Sequence, residues 1–337
     1  MSSVSAAATP AIYQPDPLGV DFDQLVLPQP PDYEGAVHAV LVRHRRKLPA
    51  PAHRAALYIH GFNDYFFQRE MAAEYARHGY QFFALELRKY GRALLPHQRP
   101  NNVRDIAEYF LDLDAAFKQV QAEGWTDVVL SGHSTGGLIA ALYAAHRRPP
   151  ELVALVLNSP FLELHQSWLR RHVAVPAAVA LGARWPNLPL PAGLPDTYGQ
   201  SLHRAYRGHW EYNLAWKPNH VFPVNAGWLR AIRRGQARVR RGLQITQPVL
   251  VLHSDRTTGG SAWHPDVQCT DIVLDVDHIR ALAPRLGQRV TVRAVPGAVH
   301  DVFLSAPLVR TDAYQRVFAW LAGVVPAPPA APSHIPR

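Results

Sequence analysis

Residues 127–147, DVVLSGHSTGGLIAALYAAHR, constrain the fold more than any other stretch, because they read as a buried strand, a sharp turn and a helix in direct succession. Val128, Val129 and Leu130 make a short apolar run rich in β-branching, as a parallel strand covered on both faces should be. From Leu138 to Ala145 the residues are mostly small or unbranched, which a helix prefers. Between them, Gly132-His133-Ser134-Thr135-Gly136 puts glycine two residues before and two residues after a serine. A Cβ at either glycine would push strand and helix apart, so the pattern holds Ser134 at the tip of a strained turn, a nucleophile elbow.

The chain around this turn has 337 residues, 48% of them hydrophobic, enough to bury a full core. Its formal net charge is +9, which raises the question of an anionic partner. Its lysines are only Lys47, Lys89, Lys118 and Lys217, so the excess is arginine. The basic clusters, Arg45-Arg46-Lys47, Arg233-Arg234 and Arg238 to Arg241, are short and lack a recognised nucleic-acid fold around them, so no nucleic-acid partner is expected. A single cysteine, Cys269, excludes an internal disulfide and a cysteine-based metal site. The N-terminal stretch has no basic start and no continuous apolar run, and no segment approaches the 18 or so apolar residues of a membrane span. A soluble, cytoplasmic protein with at most peripheral membrane contact is expected.

Period and punctuation give the organisation. Residues 36–47 alternate well enough for an early strand, paired antiparallel with residues near Leu25. Strands are predicted at 56–60, 80–87, 128–130, 152–157, 249–252 and 290–295, with helices at 66–78, 138–145, 277–286 and 306–321. Val103, Ile106, Phe110, Leu113, Phe117 and Val120 recur at spacings of three and four, which predicts one further helix, stopped by Gly124. Alternating strands and helices imply a mostly parallel, doubly wound sheet. Residues 161–245 break the alternation with prolines and with Trp168, Trp185, Trp210, Trp216 and Trp228, and they are too long for an ordinary loop. They read as a cap inserted into a core of 21–160 and 246–323, flanked by an extended segment at 1–20 and a Pro/Ala-rich tail at 324–337.

A serine hydroxyl becomes a nucleophile only when a base takes its proton, and that base needs a carboxylate to fix its tautomer. For this kind of elbow the expected chain order is serine, acid, histidine. His300 sits in Pro296-Gly297-Ala298-Val299-His300-Asp301, directly after the last strand, and is the candidate base. Asp255, just beyond the strand PVLVLHS, is the candidate acid. Asp275 and Asp277 compete for that role but better suit a helix start. The backbone N–H groups of Phe62 and Thr135 are the candidate oxyanion donors, with Gly61 allowing close approach. His60 and Asp64, on the same early loop, read as loop-fixing hydrogen-bonders. His278 has no metal-ligand pattern around it, and no metal or cofactor is expected.

Taken in order, HGFND, GHSTG, HSD and GAVHD, with a cap between the sixth and seventh strands, resemble the α/β-hydrolase superfamily over nearly the whole chain. Within it the chain is similar to the monoacylglycerol lipase and lysophospholipase-like group, also grouped with serine aminopeptidases. The segment Glu86 to Arg92 resembles that group's D-x-R-G-x-G-x-S loop, from which Glu86, Lys89 and Ala93 depart. The resemblance implies the α/β-hydrolase fold and cofactor-independent ester hydrolysis through an acyl-enzyme, with Ser134 as nucleophile, His300 as base and Asp255 as acid. The expected partner is a small ester with an apolar acyl group. Aminopeptidase, acyltransferase and non-catalytic ligand binding remain the alternatives. One departure stands out: Arg256 to Thr270 is longer than the loop such lipases carry there.

Overall fold

The computed structural model describes residues 12–46, 48, 52–164, 174–191 and 194–325. The main sheet begins with β1 (Gln14–Pro15), β2 (Phe22–Asp32) and β3 (Gly35–His44). It continues with β4 (Arg54–Ile59), β5 (Gln81–Glu86), β6 (Asp127–His133) and β7 (Leu152–Asn158). After a long excursion in the chain come β10 (Val249–Ser254) and β11 (Val290–Val295). Spatial order is β1-β2-β3-β5-β4-β6-β7-β10-β11. The first three strands pair antiparallel with their neighbours, and every pair from β5 to β11 is parallel.

The parallel strands bury both faces by alternation. In β4, Ala55, Leu57 and Ile59 enter one apolar cluster while Ala56 and Tyr58 enter the other. In β10, Val249 and Val251 divide from Leu250 and Leu252 in the same way. On the first face lie α2 (Glu108–Ala122), α3 (Thr135–Arg147) and α7 (Val276–Leu282). On the second lie α1 (Arg69–Arg77) and α8 (Pro307–Val324).

Helix ends follow local chemistry. Gly124, at φ +92°, ends α2 in a Schellman motif, with Trp125 N–H bonded to Val120 O at 3.3 Å and Gly124 N–H to Gln121 O at 2.9 Å. The start of α2 differs from the expected stripe. Val103 and Ile106 are buried, but regular turns begin only at Glu108, whose carboxylate accepts the N–H groups of Arg104 and Asp105. The helix expected over 277–286 stops at Leu282 and tightens into a 3₁₀ turn, Ala283–Leu286. Pro284 has no N–H to continue the α-helical ladder.

The excursion between β7 and β10 carries α4 (Val175–Arg184), α5 (Asp196–Leu202), the two-residue strands β8 (Pro189–Leu190) and β9 (Val224–Asn225), and α6 (Ala226–Arg241). Its parts pack differently. Leu202, Tyr212, Trp210 and Trp216 share a small cluster with Tyr65, Phe67, Val299 and Leu304. By contrast α6, inside the segment expected as cap, sends Trp228, Ile232 and Val239 into the main core. Trp185 is 58% exposed, and Trp168 lies outside the described residues. The expected N-terminal extension contributes β1, and α8 continues through Val324, the first residue of the expected tail. No described helix is long and apolar enough to cross a membrane.

Candidate active site

The strand, turn and helix predicted around Ser134 are present as β6 and α3. Ser134 stands between them at φ 51°, ψ −113°, a conformation disfavoured for a residue with a Cβ. Its N–H is held by Asn158 O at 2.9 Å, and its carbonyl accepts the N–H of Phe161 at the same distance. Close packing explains the glycines. A Cβ on Gly132 would lie 2.6 Å from Gly136 O, and one on Gly136 would lie 2.6 Å from Ile59 O at the end of β4. On the facing loop, a Cβ on Gly61 would meet His133 Nδ1 at 2.9 Å and Ser134 Cβ at 3.3 Å. Elbow and loop therefore meet at glycines that leave no room for a side chain.

His300 follows β11, is buried, and lines the same pocket as Ser134 together with Phe62, Tyr198 and Val273. Its loop is fixed on both sides. Val299 N–H donates to Ser305 Oγ at 3.0 Å, while Asp301 Oδ1 accepts from Asn158 Nδ2 at 2.7 Å and from Phe303 N–H at 3.1 Å. His300 Nδ1 lies 2.8 Å from Asp271 Oδ2. An ionised carboxylate can only accept, so this contact assigns the proton to Nδ1 and leaves Nε2 with a lone pair.

The carboxylate on His300 is thus Asp271, which corrects the expectation of Asp255. Asp255 Oδ1 accepts the N–H of Gly297 at 3.1 Å, a tie between two loops. Asp275 caps α7 by accepting Asp277 N–H at 2.9 Å, and Asp277 is an exposed partner of Arg280, as their place at a helix start suggested. Asp271 is fully buried, and its other oxygen accepts the N–H groups of Val273 and Leu274, both at 2.8 Å. The displacement has a structural cause in the long segment after β10. Asp271 N–H bonds to Arg256 O and Thr258 N–H to Asp271 O, both at 3.1 Å, and the hydroxyls of Thr258 and Thr270 meet at 2.6 Å. The chain leaves at Thr258, makes an excursion, and returns at Thr270 to the place it left. The carboxylate that meets His300 therefore comes after the excursion, beside Thr257. The unusual length of Arg256 to Thr270 was the one sequence signal of this.

The two residues expected as oxyanion donors lie near the elbow, Thr135 directly after Ser134 and Phe62 in the pocket that Ser134 lines. Thr135 is the first residue of α3, so its N–H has no intrahelical acceptor. Phe62 sits in the turn after β4, its ring 4.8 Å from that of Trp228 on α6. His60 behaves as a loop anchor. Its Nε2 accepts Leu87 N–H at 3.2 Å, which requires the proton on Nδ1, 2.8 Å from Gly61 O. Burial pushes its pKa down to about 4, so the ring is neutral at pH 7. Asp64 has a larger part than loop fixing alone. Burial works to raise its pKa, but Lys217 from the excursion between β7 and β10, 2.6 Å away, and His133, at 3.6 Å, hold the carboxyl well below the usual range. The Glu86 to Arg92 segment supports this loop from beneath: Glu86 accepts Phe66 N–H at 3.2 Å and pairs with Arg92, which also bonds Asp16 at 2.7 Å.

A mostly parallel sheet with an elbow serine at the carboxyl end of a central strand, and a histidine and carboxylate on the loops after the following strands, defines an α/β-hydrolase. The chain belongs to the serine aminopeptidase S33 family, whose profile matches residues 50–307. It is 28% identical over 239 residues to a monoacylglycerol lipase of Mycolicibacterium smegmatis, covering 69% of this chain and 75% of that protein. Two solved structures share the fold with a TM-score of 0.64 each. One is a soluble variant of monoglyceride lipase from Saccharomyces cerevisiae in complex with a substrate analog, at 18% identity over 88% of this chain and 94% of that one. The other is the Paleococcus ferrophilus monoacylglycerol lipase, at 19% identity over 85% and 98%.

Proposed function

We propose that the protein is a serine hydrolase that cleaves carboxylic esters with an apolar acyl group through an acyl-enzyme. Monoacylglycerols are the first natural class to test, since the similar proteins named above are lipases of that type. The observation that carries the reading is the 2.8 Å contact of His300 Nδ1 with a buried carboxylate, in the pocket that also holds the elbow serine.

Ser134 Oγ attacks the ester carbonyl carbon as His300 Nε2 takes its proton, and Asp271 stabilises the imidazolium through the Nδ1–H bond. The carbonyl oxygen becomes an oxyanion that accepts the N–H groups of Phe62 and Thr135. Collapse breaks the bond to the alcohol oxygen, which leaves with the proton from His300. Water then attacks the acyl-enzyme with His300 again as base, releasing the carboxylic acid and restoring Ser134.

An aminopeptidase would need a carboxylate free to hold the substrate ammonium. Among the described residues lining the pocket the one carboxylate is Asp64, already engaged by Lys217. The ester reading is therefore preferred. Its test is turnover of p-nitrophenyl esters from short to long acyl chains and of monoacylglycerols. Turnover by wild type, lost in Ser134→Ala, is the expected result. Turnover of aminoacyl substrates alone would overturn it in favour of a peptidase.

A further inference from the structure

The loop that carries Phe62 grips the cap with three consecutive residues. Asn63, held at φ 52°, donates from Nδ2 to Pro218 O at 3.1 Å and accepts Phe222 N–H at 3.1 Å. Asp64 Oδ1 accepts from Lys217 Nζ at 2.6 Å and from Tyr65 N–H at 2.9 Å. Tyr65 Oη accepts Asn213 N–H at 2.6 Å, and its ring packs edge-on against Trp216 at 5.1 Å. The cap segment 213–222 is thereby clasped at three points immediately after the candidate oxyanion donor.

Lys217 is the unusual member. Its side chain is 7% exposed and that of Asp64 1%, so both charges have left water. A buried ion pair is seldom more stabilising than an apolar pair of similar volume, so fold stability gives little reason for this one. Its placement gives a better one. Asp64 faces Lys217 on one side and His133 on the other, the residue directly before Ser134, and Gly61 lies against His133 and Ser134. The pair links cap, oxyanion loop and elbow.

We propose that Lys217 is a positioning residue: through Asp64 it fixes the loop bearing Phe62, so that seating the cap and completing the oxyanion hole are a single event. The inference rests on the ester-hydrolase reading above. Removing one oxyanion donor costs about 10²- to 10³-fold in kcat, so a displaced donor should cost about 10- to 100-fold.

The experiment compares wild type, Lys217→Met and Lys217→Arg in ester turnover, thermal unfolding and inhibition by an alkyl trifluoromethyl ketone, whose tetrahedral adduct places an oxyanion in the hole. In Lys217→Met, kcat should fall about 10- to 100-fold with KM within about threefold, and the inhibition constant should rise in step with the loss of kcat/KM. Lys217→Arg, which keeps the charge and its donors, should recover part of both. Should Lys217→Met fail to fold, Tyr65→Phe removes a different tie of the same clasp and should show the same kcat-weighted loss. Retained kcat with a raised KM or only a lowered melting temperature would overturn the proposal, leaving the pair as a cap attachment. A wild type that neither turns over esters nor binds the ketone would overturn the hydrolase reading as well.

Discussion

Asp255 and Asp271 differ in what their oxygens hold. Asp255 accepts one backbone N–H from Gly297, while Asp271 holds the His300 imidazole with one oxygen and two backbone N–H groups with the other. Replacing Asp271 by Asn keeps the shape but presents an amide donor to Nδ1, or inverts the tautomer and removes the lone pair at Nε2. Under the proposed mechanism, Asp271→Asn should lower kcat on the order of 10⁴-fold. Asp255→Asn should stay within about threefold, because its backbone contact survives on an amide oxygen. Steady-state hydrolysis of one p-nitrophenyl ester checks both, and a large loss in Asp255→Asn alone would reverse the assignment. At this scale Ser134 and His300 could be singled out from the sequence because each lies directly beyond a strand, where chain position and spatial position agree. Asp271 could not, since an excursion of more than ten residues separates it from its strand, and bonds at Arg256, Thr257, Thr258 and Thr270 bring it back. Lys217 was hidden for a related reason: its partner Asp64 is 153 residues away, and no periodicity links them.

The elbow was legible as an element because its glycines are demanded by backbone contacts that any such turn must make. A Cβ on Gly136 meets the carbonyls of Ile59, the last residue of β4, and of His60, the first residue beyond it. Those are buried backbone atoms at the end of a strand and cannot rotate aside as a side chain can. Gly136→Ala should therefore push β4 and α3 apart, destabilise the protein by about 1–3 kcal/mol or more, and reduce turnover beyond what the stability loss explains. Denaturant unfolding together with activity under fully folded conditions separates the two effects, and a variant of unchanged stability would contradict the packing described. The stop of α2 at Gly124 was read from the same kind of necessity, whereas the break at Pro284 was not: the helix expected through 286 ends at Leu282. Where the signal was only apolar spacing, as at Val103 and Ile106, it marked burial correctly and helix incorrectly, since a packed turn buries side chains as well as a helix does.

On the scale of the whole molecule, the question is where the core ends and the cap begins. Composition marked 161–245 as a departure from alternating strands and helices, but composition does not say which face an amphipathic helix turns inward. Arginine-rich α6 resembles a surface helix, yet Ala231, Ile232, Gly235 and Val239 are buried, and Gly235 is close enough to α3 that a Cβ would meet Leu142 Cδ1 at 2.9 Å. This helix packs on α3 and α4 and adds its apolar side to the main core, and its Trp228 supports the ring of Phe62. We propose that the cap then lies before it, taking in α4 and α5, with Trp210 and Trp216 packed against the loops after β4 and β11. If that division holds, truncation should cost as much in α6 as in any core helix and little on the outer side of α4. Ile232→Ala should lower the free energy of unfolding by about 2–5 kcal/mol. Trp185→Ala, at a site 58% exposed, should change it by less than about 0.5 kcal/mol. Equilibrium urea unfolding of the two variants decides it. A small loss at Ile232, with the main transition unchanged, would mean that α6 unfolds with the cap and that the core closes without it.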